Sequence, residues 1–277
     1  MSPILISALS MGLLALAFAM VLVLADRRLR VQEDPRVEAV LEALPSANCG
    51  ACGFASCRDM AERMIKGDVE PGACPVGGME AARRIAEILG AGEVEVVEKV
   101  AVVHCGATPD QKIRAAEYRG VRTCAAAGLL GGEYACRYGC LGYGDCVRVC
   151  PFGAITMADG HPVVDVDRCT GCGKCVQACP RGIITLEPYD RGKGEIIFVA
   201  CNNPDKAPTV RKVCEVGCIG CRLCARTCDN GAFYMDGMLA KVDYGKVYEC
   251  GNWDEVVEKC PRKIIRKVGR VQMQEAA

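Results

Sequence analysis

Twenty-two cysteines, most of them in short regular runs ending in proline, decide what this chain of 277 residues can fold around. The clearest run is Cys169, Cys172, Cys175 and Cys179, followed by Pro180. Its spacing, C-x2-C-x2-C-x3-C-P, is that of thiolates holding cubane iron–sulfur clusters. Three thiolates set two residues apart wrap three irons of one cube, and the fourth, held before proline, turns away to ligate a second cluster. A chain built on such runs organises itself around inorganic cubes as much as around side chains.

Two other uses of cysteine compete with this one. Disulfide frameworks belong to short secreted chains, whereas a reducing compartment keeps thiols free for metals. Structural zinc pairs C-x2-C with a distant second pair, often with histidine. Here triplets replace pairs, and there are two histidines in the whole chain. The 34 basic and 34 acidic side chains balance, which argues against a nucleic-acid partner, since such proteins carry a basic excess. Aromatic residues make up 5%, too few for a large aromatic core, so the clusters must supply much of the packing. Metal-binding free energy then becomes folding free energy.

Pro3 to Ala25 carries no ionisable side chain, and Asp26, Arg27, Arg28 and Arg30 follow at once. About twenty apolar residues span a bilayer core. With no Lys or Arg ahead of the run, the positive-inside rule predicts a single-pass helix with its N-terminus outside and the remainder in the cytoplasm. A cleaved signal peptide would want a basic start and a shorter apolar core. Ser7 and Ser10 are the only polar side chains of the span, so it predicts an anchor in the lipid bilayer and no ion path.

Past the anchor (1–25), residues 26–45 form a charged connector with Val37, Val40, Leu41 and Leu44 at helical spacing. Residues 46–90 form a small helical 4Fe-4S module on Cys49, Cys52, Cys57 and Cys74, with helices predicted over 56–66 and 79–89. Residues 91–135 are a linker region with a valine-rich strand over 93–103, then His104, Cys105 and Cys124; His104 is expected to be structural. Residues 136–190 and 191–270 repeat one order: cysteine run, hairpin with an Asp-Gly turn (Asp159-Gly160, Asp236-Gly237), then cysteines and proline. Residues 271–277 are a tail. The fold class is α+β: one N-terminal transmembrane helix, the helical module, and two ferredoxin-like repeats.

Cross-ligation assigns the thiols. Cys169, Cys172 and Cys175 take Cys150 as their fourth ligand. The mate cluster takes Cys140, Cys146 and Cys179; the expected thiol position between them is Tyr143, and Cys136, one helical turn before Cys140, is the substitute. In the second repeat Cys218, Cys221 and Cys224 take Cys260. Its mate would need Cys228, Cys250 and positions 253 and 256, which hold Trp253 and Val256, so that cluster is expected to be lost. The count is four 4Fe-4S clusters. Cys105, Cys124, Cys201 and Cys214 either hold a fifth or pack as small buried hydrophobes.

The N-terminal anchor, the Asn-Cys-Gly-Ala-Cys-Gly-Phe frame at 48–54, the segment Tyr138-Gly-Cys-Leu-Gly-Tyr-Gly-Asp-Cys and the following repeats together resemble the B subunit of Rnf electron-transport complexes, over nearly the whole chain. That resemblance implies electron intake from soluble reduced ferredoxin at the cytoplasmic membrane of a prokaryote. It also implies relay to other membrane and flavin/NAD subunits, coupled to Na+ or H+ translocation and NAD reduction. Activity then belongs to the complex, a ferredoxin:NAD oxidoreductase. This chain has no G-x-G-x-x-G between strand and helix, no phosphate-binding G-x-x-x-x-G-K-S/T and no Ser–His–Asp or paired-carboxylate set, so no catalytic residue and no cofactor beyond the clusters is expected. A wiring subunit of a hydrogenase or formate-oxidising complex and a structural zinc or metal-storage protein are the alternatives. The basic stretch Arg262, Lys263, Arg266, Lys267 and Arg270 reads as a steering patch for acidic ferredoxin, a headgroup contact or a solvated face.

Overall fold

The structure, a computed structural model, describes residues 3–29 and 34–269. Arg30, Arg270 and the 271–277 tail lie outside the described residues. Helix α1 (Pro3–Leu29) runs past the apolar segment, taking Asp26, Arg27 and Arg28 into its last turns. There the two arginines oppose the helix dipole. Its stretch Leu9–Leu29 has a mean hydropathy of 2.2, buries nothing within the chain, and is long and apolar enough to cross a membrane.

Helix α2 (Pro35–Ala43) begins where Asp34 accepts a hydrogen bond from the Arg36 amide and Pro35 presets the first turn. The connector is more than a spacer: Val37, Val40 and Leu44 are buried against Met60, Ala61, Met64 and Ile85. Helix α3 (Cys57–Lys66) is capped by the Ser56 hydroxyl, which accepts from the Asp59 amide, and ends at Gly67 in the left-handed region. Helix α4 (Gly78–Leu89) ends likewise at Gly90. The valine-rich segment then splits. Val94 and Val96 lie against Gly72, where an added Cβ would meet both at 3.0 Å, and strap the helical module. Only the later part pairs, as β1 (Lys99–Val103).

Short helices α5 (Cys124–Leu129) and α6 (Asp145–Arg148) precede the hairpin β2 (Ile155–Ala158) and β3 (His161–Val164). Asp159 and Gly160 turn this hairpin with φ of 47° and 68°, the two positive values of a type I′ turn. Helix α7 (Lys174–Ala178) and strand β4 (Ile184–Pro188) follow, and β4 pairs antiparallel with β1. The strand predicted in the linker region is therefore the outer partner of the first repeat. The second repeat copies the plan. Strand β5 (Glu195–Val199), helix α8 (Ala207–Val213), helix α9 (Leu223–Thr227), hairpin β6 (Phe233–Asp236) and β7 (Leu239–Val242), helix α10 (Trp253–Lys259) and β8 (Ile265–Gly269) follow in order, with β5 paired to β8. Its turn residues are Gly237 and Met238, one position later than expected, with Asp236 ending the strand opposite Leu239.

Each unit thus wraps an outer two-stranded ribbon around an inner hairpin. Side chains of a strand alternate between faces, and β5 uses that to serve both units. Ile196 and Phe198 enter the core of the first, while Ile197 and Val199 enter the core of the second. Most cysteines of the two repeats lie in loops and one-turn helices and belong to those same cores.

Candidate iron–sulfur centres

In the helical module the loop carrying Cys49 and Cys52 turns through Asn48, Gly50 and Gly53, all with positive φ. The Asn48 side-chain oxygen accepts from the Cys57 amide at 2.9 Å and folds the loop back onto α3. Cys74 closes the set from the loop before α4, next to Cys52 and Cys57, and burial pushes its thiol up.

The first unit brings Cys150, Cys169, Cys172 and Cys175 around one small cavity. Cys150 reaches it from the preceding run, the crossing that the spacing demands. Backbone amides already point at this sulfur cage: Ala101 donates to the Cys169 sulfur (3.4 Å) and Ala154 to that of Cys150 (3.3 Å). Gly171 turns the loop at φ +67°, under the Lys99 carbonyl of β1.

Cys140, Cys146 and Cys179 ring a second cavity, and the fourth thiol there is Cys124, where the sequence suggested Cys136. The reason is tertiary. Cys124 opens α5, capped by Thr123, and the Asp145 carboxylate accepts from the Cys124 and Ala125 amides at 2.9 and 3.0 Å. This staples α5 to the turn bearing Cys146. Tyr143, at the position where spacing asked for a thiol, stacks beside Tyr118 instead, with ring centroids 5.7 Å apart.

Cys136 joins Cys105. A Cβ on Gly139 would stand 3.5 Å from the Cys136 sulfur and 3.7 Å from that of Cys105, so both thiols face the same glycine. Cys214 neighbours both. Cys201 lies beside Cys105 and Cys218, and its sulfur accepts from the Cys218 amide at 3.3 Å. Cys105 follows β1 as Cys201 follows β5, so the two repeats contribute equivalent positions to this third set. All four are buried.

The second unit gathers Cys218, Cys221, Cys224 and Cys260 around its own cavity, with Cys221 the exposed member. Val256 is completely buried where a second cluster would need a ligand. Trp253 is half-buried, its indole N–H donating to the Val247 carbonyl at 2.6 Å. Cys228 and Cys250 stand sulfur to sulfur at 2.9 Å.

Burial among other thiols pushes Cys140, Cys146, Cys175 and Cys201 up to about 12 and Cys224 to about 11. Without metal these groups hold their protons at neutral pH, and iron must displace them. Lys112, which sequence reading did not single out, is buried and donates through Nζ to the Cys140 carbonyl at 2.9 Å. Among the described residues no three His, Cys, Asp or Glu side chains converge as ligands of a single ion. Thiols arranged around a cavity, with amides aimed at their sulfurs, fit a cubane, whose ligands stand apart at its corners.

The histidines are structural. His104 bonds the Val199 carbonyl through Nδ1 (2.9 Å) and the Thr185 hydroxyl through Nε2 (2.8 Å). His161 donates from Nε2 to the Cys105 carbonyl, and burial pushes it down to about 4. The basic stretch is largely engaged. Arg262 donates to the Cys214 and Gly217 carbonyls, Arg266 to that of Gly106, and Lys267 pairs with Asp254 and Glu195. Arg262, Arg266 and Lys267 are therefore not free to steer a partner.

Comparison with known proteins finds iron–sulfur families over part of the chain. Residues 44–76 match the family described as "Putative Fe-S cluster", and residues 135–183 the "4Fe-4S dicluster domain". The chain is 39% identical over 268 residues to the B subunit of the ion-translocating oxidoreductase complex of Methanosarcina acetivorans, covering 96% of this chain and 99% of the relative. It is 42% identical over 257 residues to the B subunit of the Na(+)-translocating ferredoxin:NAD(+) oxidoreductase complex of Acetobacterium woodii (92% and 75%). It is 38% identical over 271 residues to the proton-translocating counterpart of Clostridium ljungdahlii (97% and 94%). An apolar N-terminal helix, an iron–sulfur module, paired cluster-binding repeats and this likeness over nearly the full length agree, and the chain belongs to the family of B subunits of Rnf-type ion-translocating oxidoreductase complexes.

Proposed function

We propose that this chain is the electron wire of an Rnf-type complex, holding five 4Fe-4S clusters. Their ligands are Cys49, Cys52, Cys57 and Cys74; Cys150, Cys169, Cys172 and Cys175; Cys124, Cys140, Cys146 and Cys179; Cys105, Cys136, Cys201 and Cys214; and Cys218, Cys221, Cys224 and Cys260. The observation that carries the proposal is three cavities each lined by four thiols: Cys150, Cys169, Cys172 and Cys175; Cys124, Cys140, Cys146 and Cys179; and Cys218, Cys221, Cys224 and Cys260. With the two further sets proposed, Cys228 and Cys250 are left of the 22. The functional units then run over 34–90, 99–190 and 195–269, with α1 as anchor.

The sets form a series. Gly77, packed on Cys74, shares a groove with Thr170 and Gly171 beside Cys169. Cys146 neighbours Cys175, Cys140 neighbours Cys105, and Cys201 neighbours Cys218. Soluble reduced ferredoxin delivers an electron to the series. Held by these thiolates, a cube would supply one-electron redox chemistry, and the chain would tune its potential through burial, charge and amide hydrogen bonds to sulfur. The helical module, joined to α1 by the shortest path, delivers to the membrane and flavin/NAD subunits, where NAD reduction is coupled to Na+ or H+ movement. Arg27 and Arg28 hold the cluster-bearing part on the cytoplasmic side, with the N-terminus outside.

The test is ferredoxin-dependent NAD reduction by anaerobic membranes of a strain deleted for this chain. Restoration by the full chain, and not by Cys172→Ser, is expected. Full activity without the chain, or co-purification with a nickel or molybdenum enzyme in place of a flavin-containing assembly, overturns the proposal.

A further inference from the structure

The thiols left over from the five sets occupy the place where the second repeat would hold its missing cluster. Cys228 caps the C-terminus of α9, one turn after the cluster-set residue Cys224. Cys250 ends the turn ahead of α10, the helix that leads to Cys260. Both are buried, and their sulfurs are 2.9 Å apart. A disulfide bond is about 2.05 Å long, so roughly 0.9 Å of closure joins them.

The surroundings suit a pair and exclude a cube. Asn230 Oδ1 accepts from the Cys228 thiol at 3.0 Å, and Asn252 Oδ1 from the Cys250 thiol at 3.0 Å. Each amide is held in that orientation from its other end. Asn230 Nδ2 donates to the Lys246 carbonyl (2.8 Å) and Asn252 Nδ2 to the Thr227 carbonyl (2.7 Å). Each thiol has one hydrogen, so one of the two can turn from its asparagine to donate to the other sulfur, which keeps the pair in contact. Val256 and Trp253 supply apolar surface where two further iron ligands would stand.

We propose that Cys228 and Cys250 form a reversible dithiol/disulfide couple that braces the second unit in place of the lost cluster. The span they close carries the whole β6–β7 hairpin, which packs over the Cys218, Cys221, Cys224 and Cys260 set. A cluster would have joined these two cysteines through iron; the S–S bond joins them directly. The oxidant is a low-molecular-weight disulfide. One protein thiolate attacks it, releasing one small thiol and leaving a mixed disulfide. The second protein thiolate then displaces the other small thiol, so one S–S bond is formed for one broken. The two protein protons end on the two released thiols. A reducing cytoplasm runs the exchange backwards.

The test uses the full-length holoprotein under anaerobic conditions, incubated with 2-hydroxyethyl disulfide, quenched in acid, alkylated under denaturing conditions and mapped by mass spectrometry. Incubation is long and mildly alkaline, because burial raises the Cys250 thiol to about 11. The expected product joins the peptides of Cys228 and Cys250, two hydrogens lighter than the dithiol. Dithiothreitol should split it, and the iron content should be unchanged. In Cys228→Ser the exchange should stop at a hydroxyethyl mixed disulfide on Cys250, with wild-type iron. Recovery of both residues as separately alkylated thiols after oxidation would overturn the proposal. So would loss of one cluster's iron in Cys228→Ser or Cys250→Ser, which would make the pair iron ligands.

Discussion

At the scale of single residues, Lys112 brings an ammonium into a space otherwise defined by thiols. Its backbone bridges to Cys214, and its Nζ donates to the Cys140 carbonyl while standing 4.8 Å over the Tyr134 ring. A cation so placed favours the more negative, reduced state of a nearby cube. Lys112→Met should therefore lower the potential of the cluster proposed at Cys124, Cys140, Cys146 and Cys179. Coulomb's law at an effective dielectric near 20 gives a shift on the order of 50–100 mV. A redox titration followed by paramagnetic resonance reads it, and an unchanged potential would remove Lys112 from the tuning of that centre. The exchange of roles proposed for Cys124 and Cys136 is tested at this scale too. Cys124→Ser should lose about four irons, one cube, and Cys140→Ser should lose the same. Cys250→Ser should lose none. Equal losses in Cys124→Ser and Cys250→Ser would break the assignment of thiols to sets.

Among elements, the outer ribbons do the positioning. β1 lies against the cluster loop of its own unit, and Gly171 fits there because it has no side chain. A Cβ would meet the Lys99 carbonyl at 2.4 Å, on a backbone already at φ +67°. Gly171→Ala should cost about 1–2 kcal/mol for the left-handed backbone alone, with the clash added. Its readouts are a lower melting temperature and incomplete occupancy of the Cys150, Cys169, Cys172 and Cys175 centre; wild-type values in both would contradict the packing described. What was legible in the sequence divides along the same line. The helix expected over 56–66, the Asp159-Gly160 hairpin turn and the approach of Cys150 to the Cys169 run follow from local chemistry or from spacing, and each is found, with Ser56 as the cap of α3. The pairing of β1 with β4 spans about eighty residues and has no local signal. The role of Cys124 depends on Asp145 folding α5 back onto the next turn, an interaction twenty-one residues long that spacing rules do not contain. The basic run near 262–267 was legible as charge but not as burial: Arg262 and Arg266 point inward, onto carbonyls around the set of Cys105 and Cys214.

On the scale of the whole molecule, few large side chains fill the interior, and thiols line much of both main cores. Burial pushes several of those thiols up, so iron must displace their protons, and cluster assembly and folding are expected to be one process. Stripping iron with a chelator under reducing conditions should abolish the cooperative thermal transition of the cluster-bearing units, while the apolar α1 stays with membrane or detergent. An apo chain that melts cooperatively at the holoprotein temperature would show that side-chain packing alone suffices. The most direct test of the account is the joint quantitation of iron and acid-labile sulfide on anaerobically purified full-length chain. About twenty of each per chain are expected, five cubes of four irons and four sulfides. Metal bound without inorganic sulfide would contradict it.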